Sequence, residues 1–230
     1  SPLFTSHDLN SGKEYQYTAN INNPGQLLDD YITDFFIDDQ NIIWLGTRGG
    51  DIYKANPNRN PFELHYSFRK GSENTKLATV RAVTKSKDKV WLGTDEGILI
   101  YKNNKLDSSD LFYKSNSSIK NVRSLFRDNK GRIWIGGITG LECYDSKTNQ
   151  CIPVINKVLS PKLETWSIFT LETNSDYLWV GLYKGIARID LKDYSIRFFD
   201  LTKEINEHSV MDILFVSNRE LWLATEGNGI

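Results

Sequence analysis

The chain has 230 residues with 28 basic and 29 acidic side chains, a formal net charge of −1, so charge gives no argument for nucleic acid as a partner. Aromatic residues make up 12% and six are Trp, a composition suited to strands and a packed core rather than to disorder. No apolar run approaches the length that crosses a bilayer, so a membrane enters only through segments outside this sequence.

The opening SPLFTSHDLNSGKEYQY lacks the basic start and apolar stretch of a signal peptide, which leaves a removed leader open. Leu3 to Asn10 followed by SGKEYQYT reads as strand, Ser-Gly turn and strand, like the later LECYDSKTNQCIPV. Four full periods follow, and Ile230 falls within a fifth. Each period opens on a short alternating segment: YITDFFID, TVRAVTKS, NVRSLFRD, ETWSIFTL and finally SVMDILFV. Alternation at period two marks β-strands. Turns rich in Asp, Asn and Gly come next (DDQN, KDK, DNKG, NSD, SNRE), residues that tolerate left-handed backbone.

The second strand of each period carries IWLGT, VWLGT, IWIGG, LWVGL or LWLAT, with Trp44, Trp91, Trp134, Trp179 and Trp222 spaced by 47, 43, 45 and 43 residues. Gly50, Gly97, Gly140 and Gly185 each lie six residues beyond the Trp, and Gly229 seven beyond. They predict a turn that needs positive φ or close backbone approach. Third strands (DIYKA, ILIYK, LECYD, IARID) and more variable fourth strands (PFELHYS, YSIRFFD) complete the unit. A motif recurring every 40–50 residues with four short strands predicts an all-β fold, a β-propeller of four-stranded blades. The chain holds about five blades' worth, read as one propeller domain over residues 1–230 that begins and ends within a blade. The Trp residues are expected to fill the space between blades. The small residue two places on (Gly46, Gly93, Gly136, Gly181, Ala224) leaves room for that packing.

Little conventional chemistry is legible. His7, His65 and His208 are scattered and imply no metal, and neither a phosphate-binding loop nor a nucleophile elbow is present, so no cofactor is expected. GTRGG at 46–50 joins two strands and reads as a hairpin turn rather than a nucleotide fingerprint. Asp38 and Asp39 read as ordinary turn residues rather than calcium ligands. Cys143 and Cys151 oppose each other if Leu141–Asp145 and Gln150–Val154 pair about Lys147. A hairpin disulfide and two half-buried thiols both remain open.

The repeats can be compared with one another. At the second position of the first-strand core stand Thr33, Arg81, Arg123, Trp166 and Met211; at the third stand Asp34, Ala82, Ser124, Ser167 and Asp212. First strands lie nearest a propeller's axis, so these variable side chains form a plausible recognition surface.

The repeated pattern V-x-x-L/I, Asp-Gly turn, L/I-W-I/L-G-T, x-x-G-L-x-x-Y-D resembles two-component-regulator propeller repeats. Ala224 in place of the motif Gly, and Gly137 and Leu182 in place of Thr, depart from it in single copies. The resemblance implies the periplasmic sensor region of a hybrid two-component histidine kinase, one that detects carbohydrate and relays the signal across the inner membrane. It implies as partners an oligosaccharide, the other propeller and signalling domains of the same polypeptide, and a second copy in a homodimer. It also implies that this chain is part of a larger, seven-bladed ring and is not itself an enzyme; a ring of five blades closed within the chain is the other arrangement. A periplasmic location favours the Cys143–Cys151 disulfide. The expected ligand face carries the Gly turns, with Arg48, Glu96, Tyr183, Lys184 and Glu226, and the starts of the first strands, with Arg81, Arg123 and Trp166. Trp166 and Tyr183 would stack on a sugar ring, and the Arg residues would pair with hydroxyls or acidic groups. The alternative is a five-bladed carbohydrate-cleaving enzyme that uses Asp34 and Asp212 as its carboxyl pair.

Overall fold

Wherever apolar and polar residues alternate between Gly or Asn turns, the chain forms short antiparallel strands. A computed structural model describes residues 4–7, 11–17, 31–48, 51–56, 60–67, 79–102, 105–106, 117–156, 167–174, 176–205, 208–217 and 220–227. Strands β1 (Phe4–His7) and β2 (Glu14–Tyr17) make a two-stranded sheet. Blade one is β3 (Ile32–Ile37), β4 (Ile43–Thr47), β5 (Asp51–Asn56) and β6 (Asn60–Ser67). Blade two is β7 (Val80–Ser86), β8 (Lys89–Thr94), β9 (Gly97–Lys102) and β10 (Lys105–Leu106). Blade three is β11 (Val122–Arg127), β12 (Ile133–Gly137), β13 (Gly140–Asp145) and β14 (Gln150–Ile155). Blade four is β15 (Thr170–Thr173), β16 (Tyr177–Leu182), β17 (Gly185–Asp190) and β18 (Ile196–Asp200). A single helical turn, α1 (Thr202–Ile205), leads to β19 (Val210–Ser217) and β20 (Glu220–Thr225), a second two-stranded sheet. The strands run up and down in sequence order within each sheet, which is the blade topology the repeats predict.

The chain divides into two compact units. Residues 1–95 and 99–107 form the first, and residues 96–98 and 108–230 the second. In the first unit Trp44 and Ile52 of blade one pack with Val80, Val83 and Leu92 of blade two. In the second unit Trp134, Leu141 and Cys143 of blade three pack with Ile168, Leu171 and Leu178 of blade four. Ile186 of blade four meets Ile205, Val210 and Ile213, with Trp179, Leu221 and Leu223 at the margin. Trp134 is wholly buried, and burying a side chain of that size stabilises the fold by roughly 3 kcal/mol.

The small residue two places after Trp44, Trp134 and Trp179 has the predicted purpose. A Cβ placed on Gly136 would stand 2.6 Å from Cγ2 of Ile168, just ahead of the first strand of the next blade. The predicted Gly turns also hold where they are described. Gly140 has φ +135°, and a Cβ there would stand 1.9 Å from the Ile155 carbonyl oxygen, so no other residue fits. Gly50 and Gly229 lie outside the described residues.

The expected Cys143–Cys151 disulfide is overturned by register. In the β13–β14 hairpin Cys143 lies opposite Ile152, and Cys151 lies opposite Tyr144. The hairpin is centred between Lys147 and Thr148 rather than on Lys147. That offset puts the two cysteines on opposite faces of the sheet, and both are free thiols. Burial pushes both thiols up, Cys143 to about 11 and Cys151 to about 12.

Candidate functional site

A buried β-branched residue stands at or just before the start of four of the first strands, and half-buried Ile32 takes that place in blade one. Val80, Val122, Ile168 and Val210 are fully buried. Ladder register then slips by one residue between Ile32 and Asp34, Val80 and Ala82, Val122 and Ser124, and Val210 and Asp212. The extra residues are Thr33, Arg81, Arg123 and Met211, each at a β-bulge, a feature that re-aims a side chain. Arg81 and Met211 are exposed, and Thr33 and Arg123 half-buried.

Blade four departs from the alignment read in the sequence. The residue opposite the motif's small residue is Asp34 (Gly46), Ala82 (Gly93), Ser124 (Gly136), Thr170 (Gly181) and Asp212 (Ala224). The position equivalent to the bulge in blade four, where the β15–β16 ladder runs without a register shift, therefore belongs to Phe169, not Trp166, and the next position to Thr170, not Ser167. Trp166 lies outside the described residues. Spacing carried the signal: the four bulge residues lie 11, 10, 11 and 11 residues before their Trp, Phe169 lies 10 before Trp179, and Trp166 lies 13 before it. Phe169 is half-buried, and the Arg123 guanidinium stands over its ring, 4.8 Å from the centroid. Side chains at equivalent positions of blades three and four thus touch.

The neighbouring position ties blades together. Asp34 Oδ2 accepts the Val83 N–H at 2.7 Å, from blade one to blade two. Asp212 Oδ1 accepts the Thr170 hydroxyl at 3.2 Å, from β19 to blade four, as well as its neighbour Ile213 N–H at 2.9 Å. Both carboxylates proposed as a catalytic pair hold structural hydrogen bonds between blades. Burial raises the carboxyl of Glu172, opposed by the Thr173 N–H and reinforced by the negative charge of Asp212.

The remaining candidates fall on turns. In the first unit Arg48 is exposed, with its guanidinium 5.6 Å from the Tyr31 ring centroid, and its carbonyl accepts the Thr79 hydroxyl at 3.3 Å. In the second unit Glu96 and Glu226 are exposed, and the Glu226 N–H donates to the Ser209 carbonyl at 3.0 Å. Tyr183 and Lys184 are half-buried in the β16–β17 turn; Lys184 has φ 64° and its ammonium stands 5.2 Å from the Tyr183 ring centroid. Tyr183 also bridges to Ser209. Structure therefore joins Arg123 to Phe169 and Tyr183 to Lys184, and sets Tyr183 and Glu226 both against Ser209. Among the described residues, no group of three or more His, Cys, Asp or Glu is placed to hold a metal, and no helix is long and apolar enough to cross a membrane.

Asp38 and Asp128, read from sequence as plain turn residues, have a specific task. Oδ1 of Asp128 accepts the N–H groups of Lys130 and Arg132, both at 2.9 Å; Oδ2 accepts Trp134 Nε1–H at 3.1 Å and Arg132 Nε–H at 2.6 Å. Asp38 repeats this with the N–H groups of Gln40 and Ile42, with Trp44 Nε1–H at 3.1 Å, and with Lys85 Nζ of blade two at 2.7 Å. The signal was an Asp six residues before the Trp.

Blades of four antiparallel strands, a bulged first strand and a Trp strand packed on the next blade define this chain as built of β-propeller repeats. Residues 26–49 and 116–139 match the family model described as two component regulator propeller. The fold of this chain is similar to the extracellular domain of the protein described as hybrid two component system BT3049 from B. thetaiotaomicron, with TM-score 0.76 and 20% identity over 98% of this chain and 30% of that one. The extracellular domain described as that of the one component system BT4673, from the same organism, gives TM-score 0.68 and 19% identity over 86% of this chain and 25% of that one. YCF48 from Cyanidioschyzon merolae gives TM-score 0.53 and 12% identity over 81% and 61%. These identities establish likeness of fold. The chain spans 30% and 25% of the two extracellular domains. A comparison with curated protein sequences finds no match.

Proposed function

We propose that this chain is part of the extracellular, periplasmic sensor propeller of a hybrid two-component histidine kinase, and that it detects carbohydrate. The observation that carries the reading is the two component regulator propeller repeat at residues 26–49 and 116–139. Similarity of fold to extracellular domains described as parts of one- and two-component systems supports it. The propeller binds the ligand without transforming it, and a kinase elsewhere in the polypeptide receives the signal. Arg48, Arg81, Glu96, Arg123, Trp166, Tyr183, Lys184 and Glu226 are the ligand contacts of this reading. Further propeller and signalling domains of the same polypeptide, and a second copy in a homodimer, are its protein partners.

A glycan screen by calorimetry on the complete exported region tests it. The expected result is saturable binding of one oligosaccharide class that weakens in Arg123→Ala and Trp166→Ala with the fold intact. Tight binding unchanged in both variants places the site elsewhere. Release of shortened sugar products during incubation overturns the non-enzymatic reading.

A further inference from the structure

Two adjacent positions at the start of each first strand recur from blade to blade. The position after the bulge faces the neighbouring blade, where Asp34 and Asp212 make hydrogen bonds across the blade junctions. The bulge position is half-buried or exposed in each copy, and the Thr33 hydroxyl also donates across a junction, to the Val80 carbonyl of blade two. The occupants of the bulge position are Thr33, Arg81, Arg123, Phe169 and Met211, two cations and no acid, in a chain whose overall charge is −1. In the second unit three of them stand on or beside the successive first strands β11, β15 and β19, Phe169 one residue ahead of β15: a guanidinium, an aromatic ring and a thioether. The Arg123 guanidinium already stands 4.8 Å from the Phe169 centroid, and Met211 is 45% exposed.

We infer that Arg123, Phe169 and Met211 form a contact row for a carboxylated sugar ring. The inference rests on the carbohydrate reading above and names the class within it. The apolar face of a pyranose, where axial C–H groups gather, packs on Phe169 and Met211. The ring's carboxylate takes the planar N–H fork of Arg123, a geometry an ammonium does not reproduce. Stacking on Phe169 restrains the guanidinium before the ligand arrives, which lowers the ordering cost of binding. Phe169 thereby takes the role that the sequence alignment gave to Trp166.

The test is calorimetry on the 230-residue chain with trigalacturonate, and with its uncharged counterpart trigalactose at equal concentration. The expected result is binding of the uronate at least about tenfold tighter than the neutral sugar. Loss of about tenfold or more is expected in both Arg123→Lys and Phe169→Leu, the scale of one charge-assisted hydrogen bond. Phe169→Leu retains apolar bulk, and Phe169→Tyr restores the ring and is expected to restore binding, which separates stacking from packing. Thermal melting checks that each variant is folded. Uronate binding that is unchanged in Arg123→Lys or Phe169→Leu overturns the row as the site. Equal affinity for the two sugars, or no binding of the uronate, overturns the carboxylate assignment. In that last case a neutral oligosaccharide found in the glycan screen leaves the sensing reading standing.

Discussion

Single carboxylates determine how each Trp strand is anchored. Asp128 is 4% exposed and serves two backbone N–H groups, an indole and a guanidinium. Arg132, which also donates to the Tyr194 hydroxyl of blade four at 3.0 Å, would be left buried without its counter-charge in Asp128→Ala. That loss is expected to cost about 3–5 kcal/mol, read as a lower urea midpoint. Asp38 gives a pH signature. Burial favours its neutral form, but Lys85 and the N–H groups of Ile42, Trp44 and Gln40 together outweigh this and hold its carboxyl below the ordinary 3.8. A folded value below the unfolded one means this stabilisation is complete above the unfolded value and disappears as pH falls through the folded one. Urea midpoints are therefore expected to drop below about pH 4. Lys85→Ala removes the main opposing charge and moves the folded value up toward the unfolded one, so the acid drop should become smaller; an identical pH profile in Lys85→Ala would contradict the assignment.

At the scale of strands, pairing register decides what periodicity leaves open. Gly136→Ala puts a methyl group 2.6 Å from Cγ2 and 2.9 Å from Cβ of Ile168, and is expected to destabilise by about 1–3 kcal/mol. Because the clash is with one side chain, Ile168→Ala should cost less in the Gly136→Ala background than alone, a coupling that a double-mutant cycle measures. The hairpin register also forecasts thiol chemistry. Ellman's reagent should count two thiols in unreduced, denatured protein, and should react slowly with the native fold because burial keeps both side chains protonated. A count of zero would restore the disulfide. Strand order, hairpin turns and the packing of Trp against a small residue were all legible, since each rests on local spacing. The half-residue shift of one hairpin centre was not, because Cys143 and Cys151 alternate equally well in either register.

For the molecule as a whole, the junction residues are unequal. Trp134 is wholly buried, whereas its counterpart Trp222 is 51% exposed, with Leu214 directly across the sheet at 60%. Phe35 on β3 is 56% exposed, while its counterpart Val83 in blade two is buried. Iodide should therefore quench Trp222 preferentially, and Trp222→Phe should remove more of the quenchable emission than Trp134→Phe. The repeat period, the alternation within strands, the Gly turns and the resemblance to two-component-regulator repeats were determined by the sequence alone, because each is a property of neighbours along the chain. Tertiary structure alone revealed that Asp34 and Asp212 are engaged at blade junctions. It also revealed that Phe169 stands beside Arg123, and that two cysteines eight residues apart never meet. Those outcomes depend on which backbone groups pair across strands and blades, and residue type along one strand does not specify its partner on the next.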